Sequence, residues 1–216
     1  MQSRDTLSPS FEEAESETVP KFRKFLKERH LQIAEFFAKQ RIKHALEIGS
    51  GYGGLAFLSN FNSFKITCIE PDKQRWKFIK SLGLENVFLT FDEIPDKTDY
   101  DAVILDNVLE HVSDPHEIIQ KARDRLNHNG LLLIIVPNRY DIRRISKTWS
   151  RRHFYLPDHH YSYFKPSDLD KLLSQYGFKS DAEFHYGGPW LRLAKKVSAR
   201  LGLTIFGISK VYRKEL

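Results

Sequence analysis

Ala45-Leu-Glu-Ile-Gly-Ser-Gly-Tyr-Gly-Gly-Leu-Ala-Phe57 decides the reading of this chain. An apolar run ends in an acid, passes through spaced glycines, and continues into a helical pattern. A glycine turn at the carboxyl end of a first parallel strand lets backbone approach a ligand closely, with a helix N-terminus beside it. The stretch therefore implies a nucleotide-like cofactor. Gly49, Gly51 and Gly54 also satisfy the dinucleotide fingerprint G-x-G-x-x-G, so this motif alone leaves the class of cofactor open.

Outward from the turn, strands and helices alternate, as expected of a parallel sheet with helical crossovers. Strands are expected at His44–Ile48, Lys65–Glu70, Val87–Thr90, Tyr100–Leu105 and Leu131–Val136, all short and apolar on both faces. Helices are expected at about 54–61, 72–82, 115–127 and 166–176, with Gly83, Gly130 and Gly177 ending them as C′ glycines. Pro20 opens an earlier helical stripe through Phe22, Phe25, Leu26, Ile33, Phe36 and Phe37. Two more strands, Ser180–Tyr186 and Phe206–Arg213, flank an amphipathic helix at about 189–201. The fold class is α/β, a doubly wound Rossmann-like, seven-stranded, mostly parallel sheet with helices on both faces.

The 216 residues suit one domain, read as 20–216, preceded by a mobile acidic tail at 1–19. The single cysteine, Cys68, excludes a disulfide framework and reads as a small core residue. No run of about 18 apolar residues and no secretory segment appears, which points to a cytoplasmic protein. The net charge of +6 is uneven: residues 1–20 carry −4 and the remainder +10. Such a surface can attract nucleic acid, anionic lipid or a phosphorylated substrate.

Four further features narrow the cofactor. Glu70, at the end of the second strand, can accept both ribose hydroxyls of an adenosine. Asp92, preferred over Glu93, sits just past the third strand, where a carboxylate can accept from the adenine amino group. Val108-Leu-Glu-His-Val follows the fourth strand, and Asn129-Gly-Leu-Leu-Leu-Ile-Ile-Val-Pro-Asn138 spans the fifth. With the later segments His160–Leu169 and Tyr176-Gly-Phe178, the chain resembles the class I S-adenosylmethionine-dependent methyltransferases over about residues 40–180, nearest the ubiquinone-type O-methyltransferase branch. The resemblance implies S-adenosylmethionine as cofactor, a last strand that is antiparallel, and cofactor contacts at Glu47, Gly49, Gly51, Tyr52, Glu70, Asp92, Asp106 and Asn107. Glu47 suits a ligand bearing a sulfonium and an ammonium, whereas a pyrophosphate at this turn would be repelled by it. A rival Tyr161-x-x-x-Lys165 dehydrogenase pair needs a helix, and Pro166 disfavours helical backbone at Lys165.

Transfer to oxygen benefits from a general base, and His111 and His160 are the candidates. Glu110, His111, Asp114 and His116 lack metal-ligand spacing, so no metal is expected; Asp114 more simply caps the helix opened by Pro115. Asp106-Asn-Val-Leu departs from the Asn/Asp-Pro-Pro-Tyr/Phe pattern of enzymes that methylate base nitrogens. A lid-like insert at about 139–160 carries Arg139, Arg143, Arg144, Lys147, Arg151 and Arg152. The expected acceptor is a small molecule, anionic or lipid-linked, such as a quinone precursor, a saccharide or a lipid-linked glycan. Peripheral membrane contact through 189–201 is a further option, with packing against the core or a second subunit as its alternative. The competing functions are an RNA methyltransferase and a non-catalytic cofactor-binding regulator.

Overall fold

His44–Ile48 (β1), Lys65–Ile69 (β2) and Val87–Phe88 (β3) pair in parallel, with Glu47 opposite Cys68 and Cys68 opposite Val87. The computed structural model describes residues 26–95, 99–138, 161–162, 164–184, 193–194, 196–197 and 207–215. The acidic tail, the insert at 139–160 with His160, and most of the 189–201 helix lie outside the described residues. Seven strands form one mixed sheet in the order β3-β2-β1-β4-β5-β7-β6. The later strands are Tyr100–Asp106 (β4), Leu126–Val136 (β5), Phe178–Glu183 (β6) and Ile208–Lys214 (β7), and β7 runs antiparallel to both β5 and β6. The chain divides into two compact units, Met1–Asp101 and Ala102–Leu216.

In the first unit, Glu28–Gln40 (α1), Gly54–Ser59 (α2) and Lys73–Ser81 (α3) join the three parallel strands. The stripe of α1 buries Ile33 and Phe37, and the Phe37 ring meets Phe64 edge-on at 5.1 Å. Leu46, Leu55, Leu58 and Ile79 complete this core. Leu26, expected inside the first helix, precedes it. Asp72 caps α3 by accepting the Gln74 and Arg75 N–H groups at 2.9 and 3.0 Å. The outer edge of β3 is occupied from within: the Trp76 indole N–H donates to the Val87 carbonyl at 3.1 Å, and the Leu89 N–H donates to Glu93 at 2.9 Å.

In the second unit, Pro115–Asp124 (α4) and Pro166–Ser174 (α5) flank strands rich in Ile, Leu and Val. Asp114 caps α4 and Pro115 opens it, as the sequence leads one to expect. From α5, Asp170 accepts from Lys210 Nζ at 2.9 and 2.7 Å and from the Tyr212 hydroxyl at 2.7 Å, which ties the helix to β7. Gly177 ends its turn with a left-handed φ of +69°, and Gly83 does the same in the first unit at +77°. Gly130 does not. It lies inside β5, which starts at Leu126, and a Cβ there would press on the Asn127 carbonyl at 2.9 Å. Close backbone packing, not a helix end, accounts for that glycine. Leu193, Ala194, Lys196 and Val197 are helical, and Leu193 and Val197 stand half exposed. No helix among the described residues is long and apolar enough to cross a membrane.

His30 is the buried polar group of the α1–α2 contact. Its Nδ1 accepts the Lys27 N–H at 3.2 Å, and a Cβ at Gly54 would overlap its ring. Burial, reinforced by Arg29 and then Lys27, holds the imidazole down to about 3, while α2 carries no ionisable side chain. An unfolded histidine takes up its proton near pH 6.5, so stability is retained above that value and lost as pH falls from 6.5 towards 3. We expect urea unfolding of the chain to lose about 2 kcal/mol between pH 7.5 and 5 through this group. His30→Gln should lose correspondingly less over the same interval; an identical loss in the variant would place the effect elsewhere.

Candidate functional site

The turn between β1 and α2 is built from left-handed backbone. Gly49, Gly51 and Gly53 have φ of +73°, +60° and +72°, a region in which side chains other than glycine are strained. The glycines that shape the turn are thus 49, 51 and 53. Gly54 is helical and is required by its contact with His30, so it does not serve as the third glycine of a dinucleotide fingerprint. The Gly49 and Ser50 N–H groups both donate to the Ile69 carbonyl, at 2.8 and 3.1 Å, and Gly53 N–H closes on the Ser50 carbonyl at 2.9 Å.

Two buried carboxylates stand at this turn, Glu47 and Glu70, each 3% exposed. Glu70 accepts the Gly51 N–H at 2.6 Å on one oxygen and the Asp72 N–H at 3.0 Å on the other. Burial pushes its carboxyl above the usual range, and the two amide bonds and the Arg75 charge oppose that rise. Each oxygen keeps further lone-pair capacity, so a ribose hydroxyl can be added to these bonds without displacing them. Glu47 accepts from the Cys68 thiol, whose Sγ lies 3.8 Å from Oε2. A Cβ placed on Gly51 would meet no atom within 4 Å, so the turn opens onto free space at that residue. Backbone N–H groups and two buried carboxyl groups therefore meet at this turn.

Tyr52 turns towards α3, with its ring 5.6 Å from Phe78 and the Arg75 guanidinium 5.6 Å from its centroid. Asp92 is exposed on a short 3-10 turn, Phe91–Glu93, where the neighbouring Glu93 is used to hold the Leu89 N–H.

In the second unit, Asp106 and Asn107 end β4. Asn107 adopts φ +54°, unusual for a side-chain-bearing residue, while its N–H bonds the Ile135 carbonyl at 2.8 Å and its amide donates to Asp106 at 2.6 Å. Strain at a strand end of this kind clusters at functional sites. A 3-10 turn, Leu109–His111, then buries Glu110 and exposes His111. The Tyr161 N–H donates to the Glu110 carbonyl at 2.7 Å, so the chain leaving the 139–160 insert returns beside the turn that carries His111. Lys165 is extended, at φ −99° and ψ +154°, and α5 begins only at Pro166; the Tyr161–Lys165 pair therefore shares no helical face.

Sequence reading missed two residues that pack against the turn and its helix, Cys68 and His30. Cys68, taken as plain core, touches Glu47, and the β1–β2 register is the signal that pairs them. His30 carries no motif, and only the doubled glycine at 53–54 hints at a partner.

The sequence matches the methyltransferase domain family over residues 21–183, and the chain belongs to that family. It is an S-adenosylmethionine-dependent methyltransferase. Solved structures share its fold at low identity. A S-adenosylmethionine-dependent methyltransferase from Clostridium acetobutylicum is 10% identical, with TM-score 0.62, covering 96% of this chain and 100% of that one. The plantazolicin methyltransferase bound to S-adenosylhomocysteine is 14% identical, with TM-score 0.61 and coverage of 97% and 91%. Magnesium protoporphyrin IX methyltransferase from Synechocystis, bound to the same product, is 13% identical, with TM-score 0.60 and coverage of 87% and 82%. No curated protein matches the sequence.

Glu70→Gln presents an amide N–H₂ to one of the two N–H groups its carboxylate now accepts. Calorimetric titration with S-adenosylhomocysteine should show affinity falling about ten- to a hundredfold, the range expected for charge-assisted hydrogen bonds. Asp72→Asn, which alters only the α3 cap, should leave that affinity within about twofold.

Proposed function

We propose that the chain transfers a methyl group to an oxygen of a small-molecule acceptor. The observation that carries this reading is the end of β4, where Asp106-Asn107 leads into a turn that exposes His111 and receives the chain returning at Tyr161. Glu47, Gly49, Gly51, Tyr52, Glu70 and Asp92 are the residues of the first unit assigned to the cofactor, and Asp106 and Asn107 those of the second. Bound there, the cofactor supplies an electrophilic methyl on a sulfonium. Glu47 offers its negative charge to the amino-acid arm, Glu70 accepts from the ribose, and Asp92 accepts from the adenine amino group.

Methyl transfer is an in-line displacement, so positioning supplies much of the rate. An oxygen acceptor must also shed a proton, and an exposed imidazole at His111 is the side-chain type suited to accept it near neutral pH. His160 is the second base assigned by the sequence. Acceptor chemistry follows the basic insert: an anionic or lipid-linked molecule such as a quinone precursor, a saccharide or a lipid-linked glycan, met in the cytoplasm. The resemblance to the ubiquinone-type branch supports this, as do relatives named for methylating plantazolicin and a magnesium porphyrin.

Incubation with methyl-labelled cofactor and a fractionated host extract, followed by mass spectrometry, should place label on an oxygen of a small molecule. His111→Ala should lower that transfer at least tenfold while S-adenosylhomocysteine still binds. Label in RNA would replace this reading with a nucleic-acid methyltransferase, and binding without turnover on any fraction would replace it with a regulator.

A further inference from the structure

We propose that Cys68 is a positioning residue for the cofactor, its thiol holding the Glu47 carboxylate in the orientation that receives the cofactor ammonium. The inference rests on the assignment of Glu47 given above. Parallel pairing sets Cys68 directly opposite Glu47 on adjacent strands, and Sγ lies 3.8 Å from Oε2. Both side chains are buried, Cys68 completely, and Ser50, the second residue of the glycine turn, lies against the thiol. Burial, then the Glu47 charge, pushes the thiol well above its usual range, with Ser50 opposing the shift. Cys68 is therefore S–H, a donor, under all physiological conditions.

The choice of donor has a physical logic. A lysine or arginine opposite Glu47 would orient the carboxylate but neutralise the charge the ligand needs. A thiol is neutral and weakly donating, so it orients Glu47 while leaving its negative charge to the ligand. It also fills a small apolar volume, with little desolvation cost while no ligand is bound.

A pure packing role and a positioning role differ in which ligand they affect. S-adenosylhomocysteine carries the amino-acid arm; 5′-methylthioadenosine keeps the adenosine and thioether and lacks it. We expect Cys68→Ala in the full chain to weaken S-adenosylhomocysteine about three- to tenfold by calorimetry and leave methylthioadenosine within twofold. Cys68→Ser, which restores a donor, should recover most of the loss. Cys68→Val, which fills the volume without a donor, should reproduce it. If the alanine variant does not fold, the serine–valine pair carries the same comparison. Equal weakening of both ligands, or none for either, overturns the proposal while leaving the cofactor site intact. Failure of the unaltered chain to bind S-adenosylhomocysteine would instead overturn the site itself, and this role with it.

Discussion

The bond from the Gly51 N–H to Glu70 is the constraint on which the glycine turn after β1 depends. Three left-handed glycines in five residues carry a large entropic cost, and such a segment has no shape of its own. Its shape comes from β2. The Gly49 and Ser50 amides close on the Ile69 carbonyl, and Gly51 closes on the next residue, Glu70, which also holds the entry to α3 through Asp72. All of these tethers leave the last two residues of one strand or its exit. The turn therefore inherits its geometry from the register of β1 and β2, and a shift of one residue in that register would release every tether together.

Electrostatics then sets what the turn is for. Two carboxyl groups, Glu47 and Glu70, are withdrawn from solvent, and Glu70 accepts from two backbone N–H groups while Glu47 accepts from the Cys68 thiol. Burying acids is costly, and the cost is offset here by amide and thiol donors that preserve the charge. Burial likewise keeps the imidazole of His30 neutral where α1 meets α2, reinforced by the charges of Arg29 and Lys27.

Much of this was legible beforehand because it rests on local chemistry. β1, β2 and the starts of α4 and α5 follow from apolar runs bounded by Gly, Pro and Asp, and the structure reproduces them within a residue. The acid–glycine sequence at 47–53 pointed to a turn that a nucleotide-like cofactor could approach, because backbone freedom is a property of single residues. Gly130 was misread because a glycine before a strand looks the same whether it ends a helix or lets two backbone segments touch; only the nearby Asn127 carbonyl distinguishes them. The Cys68–Glu47 and His30–Gly54 contacts were hidden for a different reason. They join residues 21 and 24 positions apart, and their meaning depends on register and helix docking, which no local pattern encodes.

The self-capped edge of β3 bears on how this protein lives among others. A sheet normally ends in a row of open donors and acceptors that invite another chain to lengthen it. Here an indole from α3 and a carboxylate from the next turn already occupy that margin, at Val87 and Leu89. Strand addition at this margin would first have to break those two bonds within the unit.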